Sequence, residues 1–291
     1  MEQQSLKIGE LLKNGYDILK SANIDSYLLD TELLLGKVLE RDRLFMLLNR
    51  GHEVSVEQAE QYLKLIELRK DKMPIKYILG ECEFMGLSFL VKEGILIPRP
   101  DTEILVEQTI DEIRENNFKT VCDVCTGSGA IGVSIAKLVE DIKVSCCDIS
   151  DIAYDVARKN VKRLSVEEKV KIIKSDLLEY FICNGEKYDI IVSNPPYIRR
   201  DVIETLMDDV KNYEPYIALC GGEDGLDFYR KITQQSLKVL NTNGILIFEI
   251  GYDQKEDVKH ILNQYGFSDV KCFKDLAGKD RVVQGTLKIC C

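Results

Sequence analysis

No stretch of the 291 residues approaches the ~20 consecutive apolar positions that a membrane-spanning helix needs, so an integral membrane protein is not expected. Positive charge is in deficit. Thirty-nine Lys and Arg stand against 49 Asp and Glu, a net charge of −10, which on average repels naked DNA or RNA and serves solubility. The opening "MEQQSLKIGELLK" has neither the basic start nor the apolar core of a secretion signal, and a cytoplasmic location is expected. Only two histidines are present, remote in sequence from the cysteines. Cys122 and Cys125 form a C-x-x-C, but a structural zinc site needs a second close pair of ligands. The adjacent pairs Cys146–Cys147 and Cys290–Cys291 lack that spacing. A redox pair places its first cysteine at a helix N-terminus, whereas Cys122 lies in a strand pattern. Reduced thiols and no metal are therefore expected.

What is present is periodic. Through residue 75 the apolar positions recur at helical spacing. In "LKIGELLKNGYDILKSA", Leu6, Ile8, Leu11, Leu12, Tyr16 and Leu19 gather near one face. In "SYLLDTELLLGKVL", Leu28, Leu29, Leu33, Leu34 and Val38 do the same. Ser55 and Gln58 have capping-box spacing ahead of "VEQAEQYLKLIELRK". Strand alternation is not evident, so a small helical bundle is predicted over residues 1–75. Residues 76–98 change character. "EFMGLSFLV" and "GILIP" are short β-prone runs around "KEG", predicting a hairpin that links the bundle to a second domain, 99–291.

From residue 119 strands and helices alternate: "KTVCDV", then "GAIGVSIAKLVE"; "KVSCCDI", then a helix capped by Ser150; "KVKIIKSD"; "YDIIVSN"; "GLDFYRKITQQSLKVL"; "GILIFEIG". This order predicts an α/β fold with a doubly wound, mostly parallel, Rossmann-like sheet. "DVKCFKD" and "RVVQGTLKI" have no helix between them, predicting an antiparallel hairpin at one sheet edge.

The first strand of this part ends in "DVCTGSGAIG", where Gly127, Gly129 and Gly132 spell G-x-G-x-x-G and Asp148 follows about 20 residues on, after the second strand. Glycines there allow a tight turn and close backbone approach to a ligand, and an acidic residue at that position accepts from ribose hydroxyls. Asp123 precedes the loop. A pyrophosphate has no use for its carboxylate, whereas a cationic ligand does; bracing of the loop by Asp123 is the other reading, and the two are compatible.

The remaining signal is "NPPY", Asn194 to Tyr197, which uses two of only six prolines where "YDIIVSN" ends. Ligands of open α/β sheets bind at that edge. Each proline excludes the helical region for the residue before it, so Asn194 and Pro195 are held extended and the loop is stiff. The Asn194 side-chain oxygen and a main-chain carbonyl become two preset acceptors, which suit the two donors of a planar –NH2, and Tyr197 offers a flat face.

With these motifs the chain resembles class I S-adenosylmethionine-dependent methyltransferases. "NPPY" is similar to the signature of those that methylate planar amide or amino nitrogens. "ILIPRPDTE" (95–103), "ALCGGEDGLDFYR" (218–230), "FEIGYDQ" (248–254) and "KDLAGKDRVV" (274–283) narrow the resemblance, over nearly the whole chain, to the bacterial release-factor glutamine methyltransferase family, often called PrmC or HemK. That resemblance implies methyl transfer from S-adenosyl-L-methionine, leaving S-adenosyl-L-homocysteine, to the side-chain amide of the glutamine in the Gly-Gly-Gln loop of class I peptide-chain release factors. It implies a cofactor loop of Cys125, Thr126, Gly127, Ser128 and Gly129, with Asp148 on the ribose and Asp176 and Leu177 bordering the adenine. It also implies that Asn194, Pro195, Pro196 and Tyr197 hold the substrate, with Asn194 near the methyl donor as well. Cys125 stands where a glycine is frequent. The helical domain is expected to recognise the protein substrate, and a monomer is expected.

Other readings compete. A base-amino methyltransferase shares "NPPY" but must hold a polyanion, against the net charge. A ribosomal-protein glutamine methyltransferase shares it too. A nicotinamide dehydrogenase fits the glycine spacing but not the Pro-Pro loop. A non-catalytic binding module would tolerate loss of Asn194.

Overall fold

The computed structural model describes residues 6–288, and all counts refer to them; the Cys290–Cys291 pair lies outside. Contacts divide the chain into two compact units. One is the chain up to Glu81 together with Met207–Tyr213; the other is Cys82–Leu206 together with the chain from Glu214 onward.

The first unit is built from α1 (Ile8–Ser21), α2 (Tyr27–Leu39), α3 (Arg43–Leu48), α4 (Val56–Lys70) and α5 (Ile75–Leu79). The Ser55–Gln58 capping box is formed: the Ser55 hydroxyl accepts from the Gln58 N–H, and the Gln58 side chain accepts from the Ser55 N–H. Ile8, Leu11, Leu12 and Leu19 of α1 pack with Leu34, Leu35, Tyr62 and Ile66. Two expectations need correction. Leu6–Lys7 (β1) and Glu53–Val54 (β2) form a small antiparallel bridge, so the unit is not purely helical. The buried face of α2 is also rotated: Leu28 and Leu29 are exposed, while Asp30, Thr31 and Glu32 are buried. The cause is polar pairing. Asp30 accepts from Arg69 of α4 at 2.7 Å, and Glu32 accepts from the Tyr16 hydroxyl at 2.9 Å and from Arg43. A buried charge keeps its place only when paired, and these pairs orient the helix.

The expected pairing of "EFMGLSFLV" with "GILIP" does not form; a different hairpin turns within the first run. β3 (Glu81–Phe84), whose first residue belongs to the helical unit, pairs with β4 (Leu87–Leu90) around Met85–Gly86. Both turn residues have positive φ, 51° and 69°, which matches the right-handed twist of a two-residue hairpin. "GILIP" is not a strand. Ile95 packs on Ala153 and Val156 instead.

The main sheet contains β5 (Thr120–Val124), β6 (Lys143–Asp148), β7 (Val170–Lys174), β8 (Tyr188–Ser193), β9 (Leu240–Glu249), β10 (Phe267–Lys274) and β11 (Asp280–Leu287). The spatial order is β10-β11-β9-β8-β5-β6-β7. β9, β8, β5, β6 and β7 run parallel, and β11 and β10 close one edge antiparallel, as the alternation predicts. Alternate residues feed opposite cores. Ile190, Val192, Ile245 and Ile247 join α6 (Glu103–Asn116) and α7 (Ala130–Leu138); Ile191, Leu246 and Phe248 join Tyr229, Ile232, Val258 and Leu262 on the other face. Both faces are covered, which is why these strands read as unbroken apolar runs.

The order in which strands are added to the sheet reverses at β5. β5 leads to β6 on one side, while β8 lies on the other, with Val124 level with Ser193. Such a switch point leaves a crevice at the carboxyl ends of the strands. The glycine loop and the Asn-Pro-Pro-Tyr loop both leave the sheet there.

Candidate active site

The glycine loop is held open by hydrogen bonds from beneath. The Asp123 carboxylate, fully buried, accepts from the Thr126 hydroxyl at 2.5 Å and the Gly132 N–H at 3.0 Å through Oδ2. The bracing reading of Asp123 is therefore the one the geometry carries, and Asp123 is not in the cavity wall. Burial pushes its pKa up to about 7, against the two hydrogen bonds and with help from the nearby Asp148 charge. Thr126 N–H donates to the Cys147 carbonyl across the strands at 3.0 Å. Cys125 and Gly127 take left-handed φ of 61° and 56°, which explains why glycine is frequent at the first position; Cys125 adopts it at a steric cost.

Asp148 ends β6 at the cavity. Its Oδ2 accepts from the Gly127 N–H and its Oδ1 from the Ser150 N–H, both at 2.9 Å. Burial raises its pKa, while the N–H groups of Ser150 and Gly127 oppose the rise. Each carboxylate oxygen keeps further acceptor capacity for a vicinal diol. Leu177, also left-handed at φ 47°, turns the chain after β7 so that Asp176 and Leu177 border the same cavity.

The cavity has a volume of about 310 Å³, within the range of small-molecule sites. It brings together Cys125, Thr126, Gly127, Ser128, Asp148, Asp176, Leu177, Asn194 and Pro196 of the expected residues, but its wall does not include Gly129, Pro195 or Tyr197. Ile95, Ile149 and Ala153 supply apolar surface. A cavity lined by the Asp148 carboxylate, aliphatic side chains and left-handed backbone fits a nucleoside-sized ligand.

Asn194 lines the same cavity and is only partly exposed. Its Nδ2 approaches the Thr102 hydroxyl at 3.4 Å, which leaves Oδ1 as the free acceptor. Tyr197 behaves otherwise than expected: its ring packs on the sheet core and its hydroxyl donates to Glu249 Oε1 at 3.3 Å. Its carbonyl accepts from the Gln254 side chain at 3.0 Å. The loop is further backed by the segment after Leu219. Ile198 N–H donates to the Leu219 carbonyl and Gly221 N–H to the Ile198 carbonyl. A methyl group at Gly221 would meet Tyr197 Cα at 2.7 Å and the Pro196 and Gly225 carbonyl oxygens at 2.8 Å, so only glycine lets these backbones approach.

Several supporting residues carry no local signal. Buried Asn160, on α8 (Asp151–Arg163), accepts from Leu90 N–H at 2.7 Å and donates to the carbonyls of Leu90 and Ser128 at 3.0 and 2.8 Å, tying the hairpin to the glycine loop. Thr102, Glu249 and Gln254 brace the Asn-Pro-Pro-Tyr loop from stretches 50 or more residues away. The only sequence signal for those three is that they fall in the stretches "PRPDTE" and "FEIGYDQ".

Among the described residues, no group of three or more His, Cys, Asp or Glu is placed to hold a metal ion, and no helix is long and apolar enough to cross a membrane.

Residues 10–80 match the family described as PrmC N-terminal domain, and residues 100–210 match the Methyltransferase small domain. The chain is 58% identical to a release factor glutamine methyltransferase of Clostridium botulinum, over 94% of this chain and 97% of that one. It is 54% identical to that of Clostridium acetobutylicum, over 96% and 98%. The solved structure of a methyltransferase from Pyrococcus furiosus aligns with a TM-score of 0.52 at 20% identity, covering 71% of this chain and 91% of that one, a likeness of fold alone. The chain belongs to the release factor glutamine methyltransferase family.

Proposed function

We propose that this chain transfers the methyl group of S-adenosyl-L-methionine to the side-chain amide nitrogen (N5) of the glutamine in the Gly-Gly-Gln motif of class I peptide-chain release factors. The observation that carries the reading is the juxtaposition of Asp148, Leu177 and Asn194 on one cavity, with Asn194 on a stiff loop and its amide oxygen free. The relatives' names supply the substrate.

S-adenosyl-L-methionine would supply an electrophilic methyl carbon when bound, with Asp148 on the ribose hydroxyls, Asp176 and Leu177 beside the adenine, and the Cys125–Gly129 backbone along the methionine moiety. An amide nitrogen is a poor nucleophile because its lone pair is delocalised. Asn194 Oδ1 and the Pro195 carbonyl accept its two N–H groups, return electron density to nitrogen and orient the lone pair for in-line attack. Rate enhancement then comes from positioning and fixed dipoles rather than from a strong base. The nitrogen becomes acidic only after alkylation, so its proton can leave late. Pro196 forms wall beside the substrate amide, and Tyr197 anchors the loop through Glu249. The helical unit recognises the release factor, and the enzyme acts in the cytoplasm as a monomer.

Asn194→Ala tests the role: turnover on release factor should fall by a factor of about 100 while S-adenosyl-L-homocysteine affinity changes little. Equal loss of both would remove Asn194 from substrate binding.

A further inference from the structure

Next to Asn194 lies a polar cluster whose one member in the cavity wall besides Asn194 is Thr102. Thr102 is buried at the start of α6 and accepts from Asn194 Nδ2. A hydroxyl that accepts there has one proton left to donate, and the carboxylate of Glu249, the last residue of β9, lies against it. Glu249 is 2% exposed. Its Oε1 accepts from the Tyr197 hydroxyl, and its Oε2 is buried with no hydrogen-bond partner among the described residues. Burial pushes the Glu249 pKa up to about 7, whereas the Thr102 hydroxyl, the Arg281 guanidinium and the Tyr197 hydroxyl hold it down and Asp101 raises it. Arg281 is engaged by Asp275 at 3.0 Å and Asp101 at 3.2 Å.

A buried carboxylate with one oxygen held by Tyr197 and the other unpartnered, beside the Thr102 hydroxyl that accepts from Asn194, has a directional consequence. An asparagine amide can sit either way round, and the wrong way would present –NH2 to the substrate amide, donor against donor. We propose that Glu249 is a positioning residue which, through Thr102, fixes the orientation of the Asn194 amide so that Oδ1 faces the substrate, and through Tyr197 fixes the far end of the same loop. This rests on the substrate reading above. It gives "PRPDTE" and "FEIGYDQ" a common role, since each contributes one member of a chain running Asn194–Thr102–Glu249–Tyr197.

The test uses the full chain with Thr102→Val, Thr102→Ser, Glu249→Gln and the Thr102→Val/Glu249→Gln pair. Valine keeps the shape of threonine without the hydroxyl, and serine restores it. On release factor, kcat should fall about tenfold in Thr102→Val and in Glu249→Gln, the pair should lose little more than either alone, and Thr102→Ser should recover most of the rate. Affinity for S-adenosyl-L-homocysteine should hold throughout, which a general folding defect would not allow. Additive losses in the pair, or wild-type kcat in both single variants, would overturn the chain. A readout free of substrate separates this from the function itself: the Asn194 side-chain –NH2 resonances should shift in Thr102→Val and Glu249→Gln but not in Thr102→Ser. Unchanged resonances in all variants overturn the positioning role even if release factor proves to be the substrate. Shifted resonances support it even if a different amide is methylated.

Discussion

Replacing Gly221 by alanine probes the rigidity on which the mechanism depends. Gly221 does not have a positive φ, so alanine is conformationally acceptable there and only the added methyl matters. That methyl would lie 2.7 Å from Tyr197 Cα, 2.8 Å from the Pro196 carbonyl oxygen and 2.8 Å from the Gly225 carbonyl oxygen. Ordinary contact begins at 3.4 Å, so each approach is too short by 0.6 to 0.7 Å. All three opposing atoms are backbone, and no rotamer change can relieve them. The Asn-Pro-Pro-Tyr loop must therefore move away from Gly221 by several tenths of an ångström, and the Gly225 carbonyl within the 221–225 segment must shift as well. Overpacking of this kind costs about 2 kcal/mol. In a unit of this size that lowers the melting temperature by roughly 4–8 °C. Displacement of the acceptors by that amount should lower kcat by about 10- to 100-fold. The glycine loop and Asp148 are supported separately, by Asp123 and Asn160, so affinity for S-adenosyl-L-homocysteine should change little. Thermal unfolding, calorimetric titration with S-adenosyl-L-homocysteine and initial rates on release factor give the three quantities. A variant with wild-type kcat would refute the claim that loop position is set by this backing segment. A variant that loses cofactor affinity in proportion to kcat would refute the separate support of the two loops.

Asp123 gives a pH prediction. Its folded pKa is raised to about 7 from the ordinary carboxylate value, so between roughly pH 4 and pH 7 the folded chain holds a proton that the unfolded chain has released. Stability from this group is thus fully present below the unfolded pKa and is lost as pH rises toward 7. Asp123→Asn should flatten that part of the stability profile measured by urea titration at several pH values; an unchanged slope would mean Asp123 is ionised in the fold. Removal of residues 1–75 should abolish methylation of intact release factor and leave S-adenosyl-L-homocysteine binding largely intact, and loss of that binding would make the helical unit structural.

The features legible in the sequence are those whose causes are local. Strand and helix alternation in the second unit follows from apolar periodicity, and Ser55, Gln58 and Ser150 mark helix starts because a cap needs only three or four residues. The glycine loop and Asp148 are legible because their spacing reflects one strand–helix–strand unit. Features set by distant partners are not. The exposure of Leu28 and Leu29 follows from the pairing of Asp30 with Arg69, 39 residues away. The Met85–Gly86 turn gives a weak signal because methionine is an uncommon residue for a left-handed turn position, while "KEG" gives a stronger one. Tyr197 reads as a platform for the substrate, but its hydroxyl finds Glu249 inside the sheet core, 52 residues on. Asn160, 32 residues from Ser128, has no motif to announce it.

The central claim is that the amide of one glutamine is the methyl acceptor. Purified chain, S-adenosyl-L-methionine and a purified class I release factor, followed by proteolysis and tandem mass spectrometry, test it most directly. One added methyl group on the glutamine of the Gly-Gly-Gln peptide, absent with Asn194→Ala, is the predicted result. A methyl group on any other residue, on co-purified nucleic acid, or on no macromolecule at all would contradict the account.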